Sequence, residues 1–79
     1  MQLNSMINSV WQSTREGQDH RYVKVLANAS GYAYVRNCDA KGKEATYPAG
    51  HKKAGELEES RQIKTNKHGT LPGYRRVKG

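Results

Sequence analysis

The sequence predicts a mainly β fold, a small antiparallel barrel or strongly bent meander of about four to six strands. Three observations carry that expectation. The stretch Arg21 to Asn37, Arg-Tyr-Val-Lys-Val-Leu-Ala-Asn-Ala-Ser-Gly-Tyr-Ala-Tyr-Val-Arg-Asn, is two runs rich in β-branched and aromatic residues around a polar break holding Gly31. Glycine-containing turns around Gly17, Gly31 and Gly42 separate short apolar runs at the spacing all-β domains use. The apolar residues concentrate between Val10 and Val35, so a small ordered core with loose ends is expected.

Residues 1–8 show no clear period, and their Asn and Ser residues disfavour helix, so they read as a loose lead-in with room for one short turn. Residues 9–48 read as the β-meander core. Ser9 to Thr14 is the first strand, because Val, Trp and Thr suit a pleated, half-buried surface. Trp11, the single tryptophan, is expected as a core plug, with a surface stacking platform as the alternative. Arg15 to Asp19 is a turn. Arg21 to Ala27 is the second strand, with alternation placing Val23, Val25 and Ala27 on one face and Tyr22, Lys24 and Leu26 on the other. Asn28 to Gly31 is a hairpin link in which Gly31 supplies a left-handed residue.

Tyr32 to Asn37 is the third strand; Ala33 and Val35 share one face, and Tyr32, Tyr34 and Arg36 the other. Cys38 to Lys43 is a turn around Gly42. Glu44 to Tyr47 reads as a short fourth strand, ended by Pro48, which donates no hydrogen bond to a ladder. Residues 49–60 read as a polar loop in which Glu56 to Ser60 is expected to form a helical turn, its acids suiting a helix N-terminus. In the basic segment 61–79, Arg61 to Asn66 reads as a weak strand, Gly69 to Gly73 as a turn, and Tyr74 to Lys78 as a closing strand or part of a disordered tail.

Seventy-nine residues make one small domain, and a chain this short buries too little surface to be more than marginally stable on its core alone. Cys38 is the only cysteine, so no internal disulfide forms, and a reducing, cytoplasmic setting is expected. No apolar run approaches the roughly 18 to 20 residues of a membrane span, and the first residues lack a basic region followed by an apolar block. Neither membrane insertion nor a secretory signal is therefore expected.

The net charge of +7 is unevenly placed. Residues 1–60 hold eight Lys/Arg against seven acids, whereas residues 61–79 hold six against none. A basic segment of this kind favours a polyanionic partner such as DNA or RNA, while a solvated tail explains it equally simply. Six displaced counterions would give a log–log salt slope of roughly −4 to −5.

The candidate binding surface is the outward face of the central hairpin. With Val23, Val25, Ala33 and Val35 inward, Tyr22, Lys24, Tyr32, Tyr34 and Arg36 point out. Tyrosine rings offer stacking platforms worth roughly 1–3 kcal/mol per base, and Lys and Arg reach phosphate. Cross-strand tyrosine pairs also stabilise sheets without a ligand. Arg61, Lys64, Arg75 and Arg76 extend the candidate nucleic-acid surface. No major-groove reading helix is expected.

No cofactor or metal is expected: Cys38, His20, His51 and His68 lie 13 to 18 residues apart, without the close ligand pair zinc sites use. Catalysis is not expected either. His20 with Arg21, or His51 with Lys52 and Lys53, offers acid–base work on RNA beside phosphate-binding cations, but no spacing fixes a catalytic pair and surface histidines explain both more simply. No phosphate loop or nucleophile elbow is present.

The run Val10-Trp11, Arg21-Tyr22-Val23-Lys24-Val25 and Tyr34-Val35-Arg36-Asn37 resembles small SH3-like β-barrel proteins, many encoded by bacteriophages and prophages. Gly73-Tyr74-Arg75-Arg76-Val77 resembles the closing strand that some of them carry. The resemblance covers about residues 10–48 and departs after Pro48, where the polar stretch is longer than a compact barrel needs. It implies an SH3-like barrel, a phage or prophage origin and a binding role, and it carries over no functional residue. The expected function is thus a non-enzymatic, largely sequence-independent nucleic-acid-binding barrel. The alternative is an interaction module or inhibitor docking on a host protein. An exposed edge strand leaves pairing with a second copy open.

Overall fold

The structure is a computed structural model and describes residues 6–79. Five strands, β1 (Val10–Ser13), β2 (Tyr22–Ala29), β3 (Tyr32–Cys38), β4 (Arg61–Lys64) and β5 (Tyr74–Lys78), form one antiparallel sheet in the order β4-β3-β2-β1-β5. The chain is therefore mainly β, and no helix occurs among the described residues. The first four strands of this order are a meander; β5 then returns to pair with β1. β4 and β5 are the two edges of an open sheet.

The core follows from alternation. Val23, Val25, Ala33 and Val35 are buried on one face, as their spacing predicts. Val25 stands opposite Val35 on β3, and Ala33 opposite Ile63 on β4. Trp11 lies opposite Val23 and is 3% exposed, so it is a core plug and not a surface platform. Its indole N–H donates to Ser9 Oγ at 2.8 Å, and the Ser9 hydroxyl donates to the Met6 carbonyl. The polar atom of the largest core side chain is thus satisfied inside, as burial demands. Ile63 and Tyr74, from the two edge strands, both pack against this cluster, so the sheet bends around it.

Two further core residues come from outside the strands. Positions 1–5 of the expected lead-in lie outside the described residues. Met6 to Asn8 form one short turn, and it buries Met6. Leu71, 1% exposed, closes the core from the β4–β5 connection. Asn66 shapes that connection: its side-chain oxygen accepts from the backbone N–H of His68 (2.9 Å) and Thr70 (3.0 Å).

Three sequence expectations change. The strands share register through Val25, but a bulge makes Leu26 an extra residue, so Ala27 pairs with Tyr34 and is exposed, not inward with Val23 and Val25. A bulge breaks strict alternation because two residues on one strand face one on its partner. Second, Glu44–Tyr47 is not a strand; it makes only the isolated bridges Cys38–Glu44 and Thr46–Leu57. Pro48 ends its pairing after too few residues. Third, Glu56–Ser60 is not a helical turn. The Tyr47 N–H donates to the Glu56 carbonyl (2.9 Å) and the Glu58 N–H to the Ala45 carbonyl (3.0 Å), which holds this stretch extended as the return arm of a long loop. The basic segment supplies β4 and β5, so between the two readings it is the strands that form.

Candidate nucleic-acid interface

Residues directly opposite in an antiparallel pair share a face, so the register sorts the nine expected site residues. Tyr22, Lys24, Arg36, Tyr34 and Tyr32 lie on the outer face of the hairpin as expected. Lys64, opposite Tyr32, joins them from β4. Arg75, opposite Gln12, which is itself opposite Tyr22, joins from β5. Arg61, opposite Val35, and Arg76, opposite Trp11, fall on the inner side. The nine do not make one surface.

The outer face is further divided by the long loop. Lys24 and Arg36 stand opposite each other, and Glu44 comes down between them. Lys24 Nζ is 3.6 Å from Glu44 Oε2, Arg36 Nη1 pairs with Glu44 Oε1, and Arg36 Nε donates to the Glu58 carbonyl at 2.6 Å. The hydrogen bond from Arg36, followed by the charges of Arg36 and Lys24, holds the Glu44 carboxyl below the usual range. Both cations are therefore engaged within the protein. The turn before Glu44 also covers Val10, which lies opposite Lys24 and is fully buried. A Cβ on Gly42 would stand 3.1 Å from Val10 Cγ2.

Beyond the loop a smaller patch stays open. Tyr32 and Tyr34 are 41% and 39% exposed, on one face of one strand. Their β2 neighbours are Ala29 and Ala27, too small to cover a ring, and their β4 neighbours are Lys64 and Gln62. The bulge at Leu26 is what sets an alanine beside each tyrosine. Two residues of strand separate the rings by roughly 7 Å, so each presents its own surface.

On the inner side, the open seam between β4 and β5 forms a cleft of about 420 Å³. Arg15, Arg21 and Arg61 line it together with Gln18, Asn37 and Tyr74, over an apolar floor of Val23, Ile63 and Pro72. Arg61 donates to Asn37 Oδ1 (2.9 Å) and to the Tyr74 hydroxyl (3.3 Å), which ties the two edge strands across the seam. Sequence reasoning placed Arg15 in a turn with no role, and considered Arg21 only as a cation beside His20 in the ribonuclease reading. Their positions at strand ends were legible, but the return of β5 that brings those ends together was not.

The histidines sit apart from this cleft. His51 stacks on Tyr47 with ring centroids 4.3 Å apart and 11° between planes, and its Nδ1 accepts from the Lys53 N–H at 3.0 Å. His20 and His68 lie exposed in separate turns. Among the described residues no three His, Cys, Asp or Glu side chains come together as a metal would need, and no helix is long and apolar enough to cross a membrane. Comparison of the chain with protein-family models, curated proteins and solved structures gave no match, in a catalytic family or any other.

Proposed function

We propose that this protein is a non-enzymatic module that binds single-stranded nucleic acid largely without regard to sequence. The observation that carries the reading is the open patch of Tyr32 and Tyr34 beside Lys64. Two exposed rings on one strand, each flanked by an alanine, give successive bases a flat surface, and the lysine supplies a phosphate contact. The net charge of +7 favours the encounter. The working surface is narrower than the sequence suggested, because Lys24 and Arg36 are paired with Glu44 and the C-terminal cations are shared between both faces. With two to four phosphate contacts, the log–log salt slope becomes roughly −1 to −3.

SH3-like kinship and a phage or prophage origin belong to the same proposal. The pairing of β5 with β1 bears on the first of these alone, since it puts Tyr74–Lys78 where a closing strand belongs. Docking on a host protein is the rival reading, because exposed tyrosines also serve peptide grooves.

Titration with labelled single- and double-stranded oligonucleotides of two unrelated sequences, at 50 and 200 mM salt, tests the reading. Single strands of both sequences should bind with similar affinity, more weakly at the higher salt. Tyr34→Ala should weaken binding about tenfold, the loss of one stacked base. Absence of binding at 50 mM salt, with a protein partner retained from nuclease-treated lysate, would favour the rival.

A further inference from the structure

We propose that the cleft at the β4–β5 seam binds a nucleoside phosphomonoester, with the phosphate on the three arginines and the base over the apolar floor. Three independent features of the cleft lead there. The first is uncompensated charge. Arg15, Arg21 and Arg61 come from the β1–β2 turn, the entry to β2 and the start of β4, and they line one space. Among the described residues the ion pairs are Lys24 and Arg36 with Glu44, and Lys53 with Glu59, so no carboxylate pairs with any of these three. Arg61 is held instead by neutral oxygens of Asn37 and Tyr74. The nearest acid in that network, Glu58, accepts from Asn37 Nδ2 at 2.9 Å and stands one residue removed. Like charges gathered in this way repel unless an anion joins them.

The second feature is preorganisation. The Arg61 side chain is fixed at two nitrogens, so little freedom is lost when the rest of its fork takes an oxygen. Arg15 lies against Gly73, where a Cβ would come within 3.3 Å of its Nε. Gly73 also has φ +81°, so both the backbone and the space above it suit glycine. The third feature is shape. About 420 Å³ is the size of pocket that holds one small organic ligand, not an extended strand. Ile63 and Pro72, with Tyr74 beside them and the buried Val23 beneath, give a planar base an apolar seat. Arginine forks match phosphate geometry, and a monoester dianion offers them more charge than a diester.

A free nucleotide and the phosphorylated end of a strand share this chemistry. Only the strand-end source rests on the nucleic-acid reading above. Calorimetric titration of the full chain with AMP, adenosine, inorganic phosphate, and an oligonucleotide with a 5′-phosphate or a 5′-hydroxyl separates the cases. AMP should bind at least tenfold more tightly than adenosine and than phosphate. Arg21→Ala and Arg15→Ala, at exposed positions outside the core, should each weaken AMP at least fivefold while circular dichroism and melting stay unchanged. Lys52→Ala, which removes the same charge from the distant loop tip, should not. A 5′-phosphate that strengthens oligonucleotide binding identifies the strand end; AMP binding without that gain identifies the free nucleotide. AMP no tighter than adenosine, or phosphate as tight as AMP, overturns the assignment. A hydroxyl-ended oligonucleotide that fails to bind while AMP binds would sink the tyrosine patch and leave the cleft standing.

Discussion

Glu44 shows how one side chain decides what the outer face can offer. Lys24 and Arg36 are directly opposite on β2 and β3, an arrangement that destabilises a sheet unless the charges are compensated. Glu44 compensates both. Its carboxyl has a lowered pKa, so its contribution is present above the unfolded-state pKa and is lost as pH falls through the folded one. Glu44→Gln should therefore cost about 1 kcal/mol near pH 7 by urea denaturation. The gap from the unaltered protein should close as the pH falls below the lowered folded-state pKa, where the carboxylate is protonated in both states. A gap that persists there would mean that Glu44 acts through packing. Cys38 responds in the opposite direction. Burial, then the neighbouring charge of Asp39, pushes its thiol from 9.0 up to about 11. A thiol raised in the fold stabilises it below the unfolded pKa, and that stability is lost as pH rises from about 9 to 11. Alkylation by iodoacetamide at pH 8 should be several-fold slower in the folded protein than in urea, since the thiolate is the nucleophile. Equal rates would place Cys38 in an ordinary solvent environment.

At the scale of elements, what was legible in the sequence is what repeats. The inward set Val23, Val25, Ala33 and Val35 follows from period-two alternation, and the structure buries each of them. The bulge at Leu26 was not legible, because the alternation of Val23, Val25 and Ala27 against Tyr22, Lys24 and Leu26 reads straight through it. Nor was the fold-over of the loop, which depends on contacts such as Gly42 on Val10 between residues far apart in the chain. That contact can be tested. Gly42 has φ +90° and sits directly over the Val10 side chain, so an added methyl meets both backbone strain and a crowded neighbour. Gly42→Ala should cost about 1–2 kcal/mol from the left-handed backbone alone, and more if Val10 cannot shift. Gly31 has φ +80° with open space around it, so Gly31→Ala isolates the backbone part. The difference between the two variants in chemical denaturation reports the packing of the turn onto β1. No difference would mean that the turn merely passes over Val10.

For the whole molecule the decisive segment is the one whose charge hid its structure. Six cations and no acid in residues 61–79 suit a solvated tail, and charge patterning says nothing against it. What makes the segment structural is a few apolar positions: Ile63 opposite Ala33, Leu71 closing the core, and Tyr74 opposite Ser13. Among the described residues, β5 is the one strand that pairs with β1 on its far side. Without β5 the far edge of β1 loses the strand that pairs with it, and Trp11 loses its neighbour Arg76. A chain this short has little stability in reserve, since a small core supplies no more than about 3–5 kcal/mol. Removing residues 74–79 takes away an edge strand, the Tyr74 contact with the core and the Arg61 anchor across the seam. The truncated chain should then show no cooperative thermal transition, and its tryptophan emission should shift to that of a solvated indole. The fuller test keeps the strand and removes the Tyr74 ring, with its core contact and its hydrogen bond from Arg61: Tyr74→Ser should lower stability by about 2–3 kcal/mol, a partly buried aromatic lost. A truncated chain that still melts cooperatively, near the temperature of the full one, would return residues 74–79 to the status of a tail.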